Sequence, residues 1–225
     1  MKISVILAHP DAGSFNHAIA ATAVETLQKY GHEVVFHDLY KERFPPAIPA
    51  SEIPRDAVLP RMISKHCKEI AKAEGIIIVH PNWWGQPPAI LKGWIDRILR
   101  PGVAYTFAEG DNGEGELIGL LKANEVVVFN TSNTPVDREL TRYGDPLESL
   151  WKNNILISCG AKNYYRKTFG VIITSTLEQR RKWLQEVEEI TAGHFPGLLT
   201  LMVHPHCPSP LARDSKGTEV KGNRT

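Results

Sequence analysis

The chain has 225 residues, and 26 Lys+Arg against 25 Asp+Glu leave a net charge of +1. So even a balance argues against a protein that grips phosphate backbones. No apolar run approaches the 18 or so residues of a membrane span. The remaining proportions, 42% hydrophobic and 23% charged, are those of a globular protein with a sizeable core, built as one large domain or two small ones. Cys67, Cys159 and Cys207 are scattered and form no CxxC pair, which speaks against a disulfide framework and for a reducing compartment. The opening segment from Met1 to Ala8 is too short for a signal peptide and is stopped by His9-Pro10-Asp11. It reads as a first strand in a cytoplasmic protein.

Ile3 to Ala8 is an apolar run of the kind buried on both faces of a sheet. From Asn16 the pattern turns helical, with Ile19, Ala20, Ala23, Val24 and Leu27 on one stripe and Gly31 beyond its end. Val34-Val35-Phe36 is a second strand. Phe44 to Pro60 carries five prolines and is expected to be irregular. Ile63, Cys67 and Ile70 mark a second helix, and Gly75 to Val79 is the clearest buried strand. After a loop from His80 to Pro88, the spacing of Ile90, Leu91, Trp94, Ile95, Ile98 and Leu99 predicts a helix that ends before Pro101-Gly102. Asp111 to Gly115 reads as a Gly-rich turn, Glu125 to Phe129 as a fourth strand and Asn130 to Pro135 as a polar loop. Leu147 to Ile157 reads as a helix, Phe169 to Ile173 as strand five and Thr176 to Ile190 as a charged amphipathic helix.

This β/α alternation predicts a parallel sheet between two layers of helices. About five strands is the count of a flavodoxin-like three-layer α/β sandwich, order 2-1-3-4-5, whereas a Rossmann pair of halves needs six. The expected division is a domain over residues 1–195 and a C-terminal tail over 196–225. His204-Pro205-His206-Cys207 in that tail offers metal-ligating side chains without a clear fourth partner, so no metal site is assigned.

In such sheets ligands sit beyond the carboxyl ends of the strands. After strand one, His9 to Asn16 offers backbone N–H groups at a helix N-terminus together with Ser14 and Asn16 side chains. That suits a phosphate, and equally a plain N-cap. It is neither GxGxxG nor GxxxxGK[ST]. After strand three, Trp83 and Trp84 stand beside Asn82, Gly85 and three prolines. Two adjacent planar side chains at a ligand-binding end suit a flat aromatic ligand, although one of them could serve the core. After strand four, Asn130 to Thr134 are five consecutive small hydrogen-bonding residues, fit for polar ring edges or a ribityl chain, or simply for turns and caps.

With these segments on view, the first 190 or so residues resemble the flavodoxin-like NAD(P)H:quinone oxidoreductases of the DT-diaphorase type. The most specific matches are Ser14-Phe15-Asn16 and Pro88-Ala89-Ile90-Leu91-Lys92-Gly93-Trp94. Gly102 to Tyr105, Tyr143-Gly144-Asp145 and Cys159-Gly160 add support. The resemblance implies a flavin enzyme, usually a homodimer, using FAD or FMN with NAD(P)H as co-substrate. It implies that His9, Ser14, Phe15 and Asn16 hold the flavin phosphates and nearby groups. Pro81, Asn82, Trp83, Trp84 and Gly85 would line the isoalloxazine, and Thr131, Ser132 and Asn133, with Asn130, its other edge. Tyr105 and Phe107 would shape a substrate pocket from the partner subunit. The family's Thr-Thr-Gly-Gly is here Asn130-Thr131-Ser132-Asn133, and Tyr143 stands where a His is expected. Tyr143 is therefore the candidate catalytic residue, a hydrogen-bond donor rather than a group titrating near pH 7.

The activity implied is two-electron reduction of quinones or similar flat acceptors in a ping-pong cycle, with the chemistry carried by the flavin. The alternatives are a flavin-binding electron carrier or regulatory subunit, and a non-flavin nucleotide binder on the same fold. FAD against FMN, NADH against NADPH, and the acceptor itself are open at this level.

Overall fold

A computed structural model describes residues 1–108 and 115–197. Residues 111–114 of the expected Gly-rich turn, the tail beyond residue 197 and the His204 to Cys207 group lie outside the described residues. The strands are β1 (Lys2–Leu7), β2 (Glu33–Asp38), β3 (Gly75–Pro81), β4 (Tyr105–Phe107), β5 (Leu117–Gly119), β6 (Glu125–Thr131) and β7 (Asn163–Phe169). The helices are α1 (Phe15–Lys29), α2 (Arg61–Ile70), α3 (Ala89–Ile98), α4 (Val136–Tyr143), α5 (Pro146–Glu148) and α6 (Leu177–His194). A π-helical stretch, Ser149–Leu156, continues α5.

Five parallel strands form the sheet in the order β2-β1-β3-β6-β7. The expected 2-1-3-4-5 becomes 2-1-3-6-7 because Tyr105–Phe107 and Leu117–Gly119 pair antiparallel as a separate two-stranded ribbon. Three-residue strands carry too little pattern to be seen in a sequence. The central strands are apolar on both faces, and their alternation sorts the core into two halves. Ile76, Ile78, Val126 and Val128 face α2, α3 and Trp151, while Ile3, Val5, Leu7, Ile77, Val79, Val127 and Phe129 face α1 and α6.

Strand five is Asn163–Phe169, not Phe169 to Ile173. Being an edge strand, β7 has one paired neighbour and mostly half-buried residues, so it can be polar (Asn-Tyr-Tyr-Arg-Lys-Thr-Phe). The apolar residues after it, Ile172 and Ile173, lie in a loop. There the Ile172 N–H donates to the Ser132 carbonyl at 3.1 Å.

The proline-rich excursion contains only a short 3₁₀ turn, Ala50–Glu52. It is held by charge rather than by regular structure. Glu52 and Arg97 of α3 are both buried and form a two-pronged ion pair, and the Arg97 guanidinium also donates to the Pro45 carbonyl. A Cβ added at Gly93 would lie 2.2 Å from the Pro46 carbonyl oxygen, so α3 meets this segment backbone to backbone. Gly93→Ala is therefore expected to cost about 1–3 kcal/mol, read as a lowered Tm.

Three side chains on the α2 face, His37, Glu42 and His66, bring possible metal-ligating atoms within 4.8 Å of one another. The Trp94 indole N–H, a donor only, points at His66 Nδ1 at 3.1 Å. That lone pair is used, so His66 Nε2 carries the hydrogen and faces the Glu42 carboxylate at 3.1 Å. His37 likewise presents Nδ1 to Glu42 at 2.9 Å and Nε2 to Glu69 at 3.1 Å. The cluster is a hydrogen-bonded charge network. Burial works against the Glu42 carboxylate, but the hydrogen bonds from His37 and His66 outweigh it and hold the group at about 2.

Candidate functional site

The carboxyl ends of β1, β3 and β6 open into a cleft of about 980 Å³, at the upper end of the usual range for small-molecule sites, about 300–1,000 Å³. The strand order explains its place. From β1 the chain runs to β2 on one side and β3 lies on the other, so the loops after β1 and β3 diverge and leave a crevice.

The loop after β1 is both of the things its sequence allows. Ser14 is the N-cap of α1, its hydroxyl accepting from the His17 N–H at 3.4 Å, and it also lines the cleft. Asp11 closes the loop, accepting from the Gly13 N–H at 2.8 Å. His9 lines the cleft with its Nδ1 accepting from the Asp11 N–H at 3.1 Å. Burial lowers the His9 pKa, and the Asp11 carbonyl, 3.3 Å from Nδ1, opposes it by favouring the protonated ring. Asn16 is buried at the cleft wall. Its Nδ2 donates to the Thr131 hydroxyl at 2.9 Å, but its Oδ1 has no hydrogen-bond partner among the described residues. A buried acceptor left unmatched costs about 1–3 kcal/mol, and a donor in the cleft would relieve it.

The loop after β3 is a two-residue hairpin. Trp83 and Gln86 exchange both backbone hydrogen bonds at 3.0 Å, with Trp84 (φ 57°) and Gly85 (φ 69°) at the turn. Both turn residues are left-handed, the geometry of a type I′ turn, which favours Asn-Gly or Asp-Gly. Asn82 stabilises the turn by accepting from the Gly85 N–H at 2.9 Å. A Cβ at Gly85 would lie 2.5 Å from Pro146, so glycine is required there twice over. Trp84 is fully exposed and Trp83 is 42% exposed, so neither belongs to the core. A bulky non-glycine residue in the left-handed region costs about 1–3 kcal/mol. Trp84 gains no packing within the described residues to offset this, so its selection points to a ligand. Trp84→Asn is expected to keep or raise Tm while weakening ligand binding in the cleft. Loss of stability without loss of binding would show the opposite.

After β6, Thr131, Ser132 and Asn133 reach the cleft and Asn130 does not. The alternation of the strand turns Asn130 away, and the residue is fully buried. Its Nδ2 donates to His80 Nε2 at 2.7 Å and its Oδ1 accepts from Arg166 at 3.4 Å. His80 Nε2 also receives the Trp151 indole N–H at 3.0 Å, and His80 Nδ1 meets the Pro81 carbonyl at 2.8 Å. Two donors on one nitrogen assign the neutral Nδ1–H tautomer. Burial first, then the Arg166 charge, push His80 down to about 4 against the opposing Pro81 bond. Arg166 continues the network to Asp145, Glu148 and Thr168. It thereby anchors the segment that carries Tyr143 and Pro146 into the cleft wall.

Because the folded His80 pKa lies below the usual 6.5, the unfolded chain binds more protons between the two values. This group's contribution to stability is therefore complete above pH 6.5 and is lost as pH falls towards about 4. The ¹⁵N shifts of His80 should stay those of a neutral ring until about pH 4.

Tyr143 ends α4, is about half exposed and lines the cleft, as do His9, Phe15, Pro81 and Asn82. Tyr105 and Phe107 are not brought to this chain's cleft. They sit on β4 with their rings edge to face at 5.8 Å. Cleft residues outside the loops that the sequence singles out are Glu139, Arg142, Pro146, Ile172 and Arg180. Glu139 accepts from Asn82 Nδ2 at 3.1 Å. Arg180 of α6 lies over the Phe15 ring and donates to the Ser175 hydroxyl at 2.8 Å and to the Ile172 carbonyl at 3.1 Å. Among the described residues no carboxylate pairs with it, so its charge remains available beside the α1 N-terminus. In the sequence it is one of several charges on the amphipathic helix from Thr176 to Ile190.

The family profile described as Flavodoxin-like fold matches residues 1–189, and the chain belongs to that family. A Haemophilus influenzae protein named an uncharacterized NAD(P)H oxidoreductase is similar at 32% identity, covering 88% of this chain and 98% of that one. The rat ribosyldihydronicotinamide dehydrogenase [quinone] is similar at 32% identity, covering 84% of this chain and 91% of that one. Among solved structures, an NAD(P)H:quinone oxidoreductase from Methanothermobacter marburgensis superposes with a TM-score of 0.73 at 25% identity, covering 85% and 95% of the two chains.

Proposed function

We propose that the chain is a flavin-dependent NAD(P)H dehydrogenase that reduces quinones or similar flat acceptors by two-electron transfer. The observation that carries this reading is the pairing, in one cleft, of an exposed tryptophan hairpin with the α1 N-terminus and the uncompensated Arg180. A flat apolar wall beside an anion-attracting end fits an isoalloxazine joined to a phosphate. The orphaned Asn16 Oδ1 fits a ribityl hydroxyl lying between them. The relatives named as NAD(P)H and quinone oxidoreductases support the same reaction class.

Bound in the cleft, FMN or FAD would supply hydride exchange between the nicotinamide and the acceptor. Ser14, the α1 N-terminal amides and Arg180 would hold the phosphate end. Trp83, Trp84 and Gly85 would line one side of the ring, and Thr131, Ser132 and Asn133 another edge. Tyr143, which lines the cleft, is the candidate donor to support negative charge near the ring. Asn130 serves from behind through His80 and Arg166, as a positioning residue rather than a ligand.

Residues 1–195 act as the catalytic domain. The working unit is a homodimer, supported by the exposed Leu117 and Ile118 on the ribbon that carries Tyr105 and Phe107. A partner's ribbon would complete the acceptor pocket. Among the described residues no helix is long and apolar enough to cross a membrane. The two buried free thiols, Cys67 and Cys159, suit a cytoplasmic setting.

The purified protein is expected to be yellow, or to become so with FMN or FAD, and to oxidise NAD(P)H steadily with a simple quinone. Colourless protein that acquires no flavin would overturn the proposal, and bound flavin without NAD(P)H oxidation would favour an electron carrier. Tyr143→Phe is expected to slow single-turnover flavin reduction by about tenfold or more without changing flavin content. An unchanged rate removes Tyr143 from the reaction.

A further inference from the structure

The cleft-lining hydroxyl of Ser14 is the first member of a three-residue chain whose other two members have no part in the function proposed above. Ser14 Oγ lies 3.0 Å from His17 Nδ1, and His17 Nε2 lies 3.2 Å from Asp38 Oδ2. The His17 and Asp38 side chains are only 20% and 12% exposed. Asp38 stands at the end of β2 and its other oxygen accepts from the Lys41 N–H at 3.1 Å. A further titratable group facing His17 is His9, on the β1 loop, its ring 6.4 Å away and edge-on, with Asp11 beyond it.

An ionised carboxylate only accepts, so His17 Nε2 donates to Asp38. Two arrangements remain. With a neutral ring, Nδ1 is a bare acceptor and the Ser14 hydroxyl hydrogen turns towards it, leaving oxygen lone pairs towards the cleft. With a charged ring, Nδ1–H donates to Ser14 Oγ, and the hydroxyl hydrogen is released to point into the cleft. Only the second presents a donor to an anion, and Asp38 stabilises the charge it requires. Asn16 Oδ1, two residues along, buried and without a hydrogen-bond partner among the described residues, independently marks this cleft as one that receives a ligand.

We propose that Ser14, His17 and Asp38 form a proton-linked gate on the phosphate end of the cleft, so that binding a phosphorylated flavin draws one proton from solvent onto His17 Nδ1 and turns the Ser14 hydroxyl towards the phosphate. This rests on the flavin reading of the cleft. No covalent bond changes. The proton comes from solvent, and the hydroxyl hydrogen only rotates. The bound state holds more protons than the free state, so affinity is greatest at low pH and falls as pH rises through the bound-state titration.

The test is calorimetric titration of the flavin-free protein with FMN at about pH 7.5–8.5, above the second phosphate pKa of about 6, in buffers of differing ionisation enthalpy. Riboflavin, which lacks the phosphate, is titrated in parallel. Wild type is expected to take up close to one proton with FMN and none with riboflavin. Its FMN affinity is expected to weaken by up to about tenfold per unit of rising pH. His17→Asn, which keeps a permanent donor near the Nδ1 position, is expected to bind FMN with no uptake and a flat pH profile. Asp38→Asn keeps the acceptor but removes the charge, and should move the uptake to lower pH. Uptake that persists in His17→Asn, or that is equal for FMN and riboflavin, overturns the gate while leaving the flavin reading intact. Failure of wild type to bind FMN or FAD at any pH overturns the flavin reading and the gate together.

Discussion

The cleft depends on one row of polar contacts laid across an otherwise apolar sheet. His80, Asn130 and Thr168 occupy the same level of β3, β6 and β7, and Arg166 joins two of them from the edge strand. At the levels below, the central strands are Ile and Val and could tolerate many substitutions of similar volume. At this level each buried polar atom has a designated partner, and leaving one unpaired costs about 1–3 kcal/mol. The row fixes where the strands end, and so where each loop begins. It also ties the Asp145 and Glu148 region to the sheet, which brings Pro146 against Gly85.

From that platform the three loops differ in how they are held. The β1 loop is short and locked by Asp11 and by the Ser14 cap. The β3 loop is a tight hairpin whose only extravagance is an exposed tryptophan in a left-handed position. The β6 loop is joined to the segment after β7 through the Ser132 and Asn133 contacts with Phe169, Ile172 and Ile173. Rigid loops around a pre-formed crevice suit a ligand that stays bound while others come and go, the requirement of a ping-pong cycle. The charge within the crevice is uneven. Arg180 and the α1 N-terminus lie at one end, and the tryptophan hairpin presents a flat, largely uncharged face.

Much of this was legible in the residue pattern. The long apolar runs of β1, β3 and β6 cannot be anything but central strands in so alternating a chain, and α3 was placed to within a residue by its Ile, Leu and Trp spacing. Thirteen of the fourteen expected catalytic and cofactor residues do line one cleft, His9, Trp84 and Asn133 among them. The exception, Asn130, shows why a polar run cannot be read as a unit. Neighbouring residues at a strand's end point to opposite faces, and one of them was needed to satisfy His80. β7 was shifted because an edge strand is not obliged to be apolar. The β4–β5 ribbon was invisible because its strands are only three residues long. Arg180, Arg166 and Glu139 carry no sequence signal at all, since a charge on a helix or an edge strand looks the same whether it faces solvent or a cleft.

The sequence alone determined the layering, the parallel sheet and the end at which a ligand would sit, because these follow from period and alternation along contiguous residues. Only the tertiary structure decided which polar side chains serve the ligand and which serve the sheet. Ser14 with His17 and Asp38, and His80 with Asn130 and Arg166, are separated by up to 86 residues between the first and last of the second set. Hydrogen bonds are short and directional, and nothing in local composition reveals which distant atoms will meet at 3 Å.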